Sequence, residues 1–110
     1  MKKNKTDLLQ GTLDLIVLRV LHSGAANGWD ITQRIKLVSQ DVLQVNYGSL
    51  YPALHRLEAK GWINSYWGAS ENNRRAKFYK LTASGNKQLN AERESWETLS
   101  SAVDLILKKA

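Results

Sequence analysis

Tyr47, Ser49, Tyr51, His55 and Arg56 crowd one short stretch, YGSLYPALHRLEA, and no acid interrupts them before Glu58. A second group, Arg74, Arg75 and Lys77, follows in a polar run that ends in KFYKLT. Hydroxyls, an imidazole and guanidinium groups donate and accept hydrogen bonds, and the cations pair with anionic oxygens. That inventory suits recognition of a polar, negatively charged surface. Bond-making chemistry finds no comparable set. The chain has no cysteine, and its two histidines, His22 and His55, belong to different segments. Neither a Gly-rich phosphate loop nor a His/Asp/Glu metal spacing is present in the sequence. An enzyme, a metal centre and a cofactor are therefore not expected. His22 closes an apolar helical run, where an imidazole partners the helix dipole.

The elements that position these residues follow from periodicity. Leu50, Leu54 and Leu57 recur at i, i+4, i+7 and give the first stretch one apolar helical face. Ser49, Tyr51, Pro52, His55, Arg56 and Ala59 then fall on the other side. Gly48 and Ser49 are the expected N-caps, which places Pro52 in the first turn, where its missing N–H costs little. Lys60-Gly61 ends the helix, since glycine takes the left-handed C′ conformation cheaply. Trp62 to Trp67 and Lys77 to Leu81 are rich in aromatic and β-preferring residues, and the polar run from Gly68 to Arg74 joins them as a hairpin loop.

Upstream, residues 1–6 read as a basic arm containing Lys2, Lys3 and Lys5, followed by a first helix from Asp7 to His22. Leu9, Leu13, Ile16 and Val20 form its apolar face, widened by Leu8, Leu15 and Leu18. Asp7 with Gln10 resembles a capping pair, and Gly11 is a residue that would delay the start. Asn27 is placed to cap a second helix, Gly28 to Val38, with Trp29, Ile31, Ile35 and Val38 as packing positions. The alternation from Leu43 to Val45 predicts a brief strand in the connection that follows.

Thr82 caps a last helix expected to run to about Lys108. Leu89, Trp96, Leu99, Val103 and Ile106 fall at spacings of 7, 3, 4 and 3, a heptad seam broken only at Glu92. A helix of this length spans about 39 Å, more than a small domain covers. Its seam calls for a partner, and a two-fold homodimer is the commonest solution. The plainer alternative is that the seam packs on its own domain.

Charge separates the two parts. Residues 1–81 carry 12 Lys/Arg against 6 Asp/Glu, whereas residues 82–110 carry 4 against 4. The whole excess of +6 therefore sits on the part with the helix and hairpin. Clustered cations gain affinity for a polyanion by releasing its counterions, so nucleic acid is the natural partner. With the helix and hairpin laid out as a winged helix–turn–helix, the expected partner is double-stranded DNA. No apolar run is long enough to span a bilayer, and the N-terminus lacks the pattern of a signal peptide. A cytoplasmic setting is expected.

The fold class is accordingly α+β and mostly helical: a winged helix–turn–helix over residues 1–81, followed by one long C-terminal dimerisation helix over residues 82–110. The third helix enters the major groove, with Ser49 and His55 at base edges and Tyr47 and Tyr51 on the backbone. Arg56 contacts phosphate or pairs with a neighbour. Arg74, Arg75 and Lys77 on the wing reach phosphates or the minor groove, and Lys3 and Lys5 extend the contact as an arm. The rival reading is a winged helix used as a protein-interaction module. It would require exposed apolar patches and a mixed-charge third helix.

Longer motifs sharpen this. The chain resembles the PadR family of bacterial transcriptional regulators at Gly11-Thr12-Leu13-Asp14-Leu15, at Asn27-Gly28-Trp29-Asp30-Ile31 and at Gly48-Ser49-Leu50-Tyr51-Pro52-Ala53-Leu54-His55-Arg56-Leu57. The pattern continues at Lys60-Gly61-Trp62-Ile63, at Arg75-Ala76-Lys77-Phe78-Tyr79-Lys80-Leu81-Thr82 and at Gly85. Trp29-Asp30 stands where the family usually shows Tyr-Glu. The single short C-terminal helix resembles the smaller subfamily. The resemblance implies a homodimeric repressor that binds a pseudo-palindromic operator and often responds to a small molecule. Trp96, doubled by a dimer axis and flanked by the small Ser95, Ser100 and Ala102, would offer two indoles on which a planar aromatic effector stacks. An aromatic residue at helical spacing serves equally well as core.

Overall fold

The computed structural model describes residues 5–109, with side chains described from Gly11 onward. Four helices and three strands follow in the order α1 (Lys5–His22), β1 (Ala26–Asn27), α2 (Gly28–Val38), α3 (Tyr47–Ala59), β2 (Ile63–Ala69), β3 (Arg75–Leu81) and α4 (Ala83–Lys109). The antiparallel sheet has the order β1-β3-β2. This is the mostly helical α+β winged-helix architecture that the sequence predicts.

Several boundaries differ from expectation. α1 begins at Lys5 rather than Asp7, so Lys5 is helical and not part of an arm, and Asp7 lies inside the helix rather than at its start. Gly11 does not delay the start: its cost of roughly 0.5–1 kcal/mol is outweighed by the apolar side chains that follow. The buried face of α1 is Leu13, Val17, Leu18 and Leu21, while Leu15, Ile16 and Val20 are only partly covered. Lys2 and Lys3 lie outside the described residues.

The brief strand falls at Ala26–Asn27 and not at 43–45. Its pairing Ala26↔Tyr79 and Asn27↔Phe78 needs β3, a partner remote in sequence. Leu43 and Val45 instead pack, partly buried, against the core without strand pairing. α2 is capped as expected, with Asn27 Oδ1 accepting from the Asp30 N–H at 2.8 Å. Only Ile31 and Ile35 of its four anticipated packing positions are buried; Trp29 and Val38 are exposed.

α3 is capped by Asn46, whose Oδ1 accepts from the Ser49 N–H at 2.9 Å, and not by Gly48 or Ser49. Pro52 therefore lies beyond the first turn, on an exposed side of the helix. Gly48, four residues earlier, is exposed as well, which limits the cost of the missing N–H. Leu50, Ala53, Leu54 and Leu57 are fully buried. The helix ends in a Schellman arrangement: Gly61 (φ +77°) donates to the Glu58 carbonyl at 2.9 Å and Trp62 to the Leu57 carbonyl at 3.0 Å.

β2 and β3 are longer than predicted, and the loop shrinks to residues 70–74. Ser70 closes it: its N–H donates to the Arg74 carbonyl at 2.8 Å, and its carbonyl accepts from Asn73 at 2.9 Å. Asn73 takes the left-handed region (φ +59°), one of the few non-glycine residues that does so readily.

Thr82 joins three elements. Its Oγ1 donates to the Gly61 carbonyl at 2.8 Å and accepts from the Gly85 N–H at 2.9 Å. Its own N–H donates to the Trp62 carbonyl at 3.1 Å. α4 starts from this point and extends for 27 residues. Gly85 and Leu89, in its first turns, are buried in the core. Beyond them the seam is bare: Trp96, Leu99, Val103 and Ile106 are exposed, as are Leu105 and Leu107 beside it. Leu89 thus belongs to the core of its own chain, and the exposed seam starts at Trp96.

Candidate nucleic-acid interface

The inner face of the hairpin changes character along its length. Register places Ile63 opposite Leu81, Ser65 opposite Tyr79, Trp67 opposite Lys77 and Ala69 opposite Arg75. Alternation puts all eight side chains on one side of the sheet. At the base Ile63 and Tyr79 are buried; toward the tip the same face becomes Trp67, Lys77 and Arg75. Burial, together with the nearby Tyr51 and Glu58, holds the Tyr79 hydroxyl above its ordinary pKa, so it stays neutral.

The cations at the tip are oriented by aromatic rings. The Arg75 guanidinium carbon lies 4.7 Å from the Trp67 ring centroid, and Lys77 Nζ lies 5.8 Å from that of Tyr79. Such contacts hold a long side chain without neutralising it. Arg74 and Arg75 are exposed, and none of Arg74, Arg75 and Lys77 forms an ion pair among the described residues. On the opposite side of the hairpin Tyr66 stacks on Phe78 with ring centroids 5.6 Å apart. A Cβ on Gly68 would come within 3.2 Å of the Phe78 ring.

Hairpin, α2 and α3 enclose an open cleft of about 810 Å³. The hairpin contributes Trp67, Arg74, Arg75 and Lys77; α3 contributes Tyr47, Tyr51 and His55. The structure thus brings together six of the residues singled out for DNA contact and adds two tryptophans, Trp29 and Trp67. Ser49, in the first turn of α3, is partly buried and does not line this cleft. Tyr47 and Tyr51 pack against each other at 5.5 Å in a tilted arrangement. The Tyr51 hydroxyl lies so near the start of α2 that a Cβ on Gly28 would meet it at 2.5 Å. Glycine is therefore the residue that lets α2 and α3 approach.

Arg56 is elsewhere. Its Nη2 donates to Asp14 Oδ1 at 2.8 Å, with both side chains partly buried, and ties α3 to α1. This is the pairing with a neighbour that the sequence allowed for Arg56; the contact engages one of its two terminal nitrogens. Lys5 lies in α1, and Lys3 outside the described residues.

A second depression, about 680 Å³ and mainly apolar, opens between α1, α2 and α4. Leu15, Ile16 and Val20 form one wall, Ile35, Val38 and Leu43 another, and Leu89 and Trp96 the third. It explains why α1 is apolar on more than one side. Sequence periodicity registered the breadth of that face but not the hollow beneath it.

Comparison with known proteins places this geometry. The family model described as the transcriptional regulator PadR-like family matches residues 17–91. The chain is 35% identical over 89 residues to a transcriptional regulator of Mycobacterium tuberculosis, covering 78% of this chain and 79% of that protein. An uncharacterised protein of Lysinibacillus sphaericus is 28% identical over 104 residues, with 94% and 95% covered. Among solved structures, a transcriptional regulator from Clostridium thermocellum superposes with a TM-score of 0.81 at 31% identity, covering 89% of this chain and 95% of that one. A PadR-like transcription factor from Bacteroides fragilis gives 0.74 at 32%, covering 93% and 96%.

Proposed function

Because this chain belongs to the PadR-like family of transcriptional regulators, whose members bind DNA, we propose that it is a cytoplasmic, dimeric repressor of a pseudo-palindromic operator. Its role is binding rather than catalysis. Residues 1–81 serve as the reading head and residues 82–110 as the pairing helix. The observation that carries the reading is the cleft in which Arg74, Arg75 and Lys77, without an ion pair among the described residues, face Tyr47, Tyr51 and His55 of α3. α3 enters the major groove, where Ser49 and His55 meet base edges. Tyr47, Tyr51 and the wing cations hold the sugar-phosphate backbone and set register. Lys3 and Lys5 add long-range attraction.

Arg75→Ala tests this directly. It should weaken binding to every duplex and flatten the slope of log affinity against log salt by about one unit. Fluorescence anisotropy titrations at several salt concentrations read both quantities. An unchanged slope would remove Arg75 from the interface, and a wild-type protein that binds no duplex would remove the function.

Pairing through α4 is supported by its bare apolar surface from Trp96 to Leu107. A long helix that leaves such a surface to water is an unfinished interface. Release by a small planar aromatic effector is the last part of the proposal. Trp96 is 45% exposed and walls the apolar depression against α1 and α2. Planar dyes should quench tryptophan emission in the wild type, and Trp96→Ala should abolish most of that quenching. Equal quenching of both proteins would assign the dye to another tryptophan and Trp96 to packing.

A further inference from the structure

Trp29 is unexplained by packing. It sits in the first turn of α2 and is 58% exposed, while Ile31 and Ile35 of the same helix are buried. It lines the cleft whose opposite wall carries Arg74, Arg75 and Lys77. If DNA occupies this face, as proposed above, the helix preceding the recognition helix crosses the sugar-phosphate backbone. The residues at the start of α2 that line the cleft are Gly28, Trp29 and Asp30, preceded by the cap Asn27. Asn27 Oδ1 is engaged in capping the helix at 2.8 Å from the Asp30 N–H. Gly28 has no side chain. Asp30 repels phosphate, as does Glu71 on the wing side of the same cleft.

We infer that Trp29 is the contact by which α2 holds the DNA backbone. Its indole offers an apolar plane for a deoxyribose and one N–H, at Nε1, for a phosphate oxygen. The contact carries no base information and no charge. An uncharged donor releases no counterion, so it adds affinity without raising salt dependence. Trp29 thereby complements the wing: the cations supply the part of binding that salt screens, and the indole a part that it does not.

Anisotropy titrations of the full chain against two labelled duplexes, its own upstream sequence and a scrambled one, test the assignment. Trp29→Ala should lose about tenfold on both duplexes, the loss of roughly one hydrogen bond to a charged group, with the salt slope unchanged. Trp29→Phe, which keeps an apolar plane and lacks the N–H, should fall between. Thermal melts establish that both variants are folded. Wild-type affinity in Trp29→Ala, alongside weakened Arg75→Ala, overturns the role of Trp29 and leaves DNA binding intact. A loss confined to the upstream duplex makes Trp29 a base reader and overturns the backbone assignment. Failure of the wild type to bind either duplex overturns the proposed function itself.

Discussion

Alanine at position 85 is expected to destabilise the protein by about 3 kcal/mol or more, a large part of the 5–15 kcal/mol typical of a whole domain. Gly85 lies where the first turn of α4 presses on the end of the Schellman turn. A Cβ there would stand 1.9 Å from the Trp62 carbonyl oxygen, 2.8 Å from its carbon and 2.9 Å from Leu81 Cδ1. The first two are backbone atoms and cannot rotate away. The Trp62 oxygen is also fixed by the Thr82 N–H at 3.1 Å, so retreat would break that bond. The alternative is for α4 to lift, which uncovers Leu89, now 1% exposed. Melting temperature should fall by more than about 12 °C. Gly11→Ala is the internal contrast, because a Cβ at Gly11 meets nothing within 4 Å. That helical site should tolerate alanine or gain up to about 1 kcal/mol. Equal melting curves for Gly85→Ala and wild type would contradict the packing described.

The second large effect concerns pairing. Val103→Asp puts a carboxylate in the middle of the bare α4 surface, where Val103 is 42% exposed in the single chain. Its fold should survive, with a melting curve close to that of an isolated protomer. Binding to a two-half-site operator should fall by roughly 10²–10⁴, the gain that linked sites normally provide. Affinity for a single half-site should stay the same. Light scattering on the same samples should show a monomer in place of a dimer. A wild-type protein that is monomeric at operator-binding concentrations would end the pairing model, as would a Val103→Asp protein that remains dimeric.

What could be read from the sequence was mostly local chemistry. Asn27, Gly61 and Thr82 each perform, within four residues of themselves, the cap or turn role that their type predicts; the further bonds of Thr82 to Gly61 and Trp62 lie outside that range. Asn46 escaped because Gly48 and Ser49, just after it, are also good capping residues, and only the backbone decides among them. What escaped involves distant partners. Arg56, for which the sequence left phosphate contact and pairing open, finds its partner in Asp14, which precedes it by 42 positions. β1 exists because β3 offers it an edge. Trp29 fits a packing pattern by spacing yet lies on the cleft side of α2, since hydrophobic periodicity cannot tell a buried aromatic from one at a mouth. The wing cations were legible as a group; their orientation over Trp67 and Tyr79 depends on strand register, which loop length alone did not fix.

The meeting of bonds at Thr82 has a consequence for the operator. One residue fastens the end of α3 through the Gly61 carbonyl, the base of the hairpin through the Trp62 carbonyl, and the start of α4 through the Gly85 N–H. No flexible linker intervenes between the element proposed to read and the element proposed to pair. If two chains join along α4, the protein behaves as a pair of calipers locked at one opening. Half-site separation then becomes a constant of the fold, and inserting base pairs at the operator centre should be resisted by a rigid frame rather than absorbed by a tether.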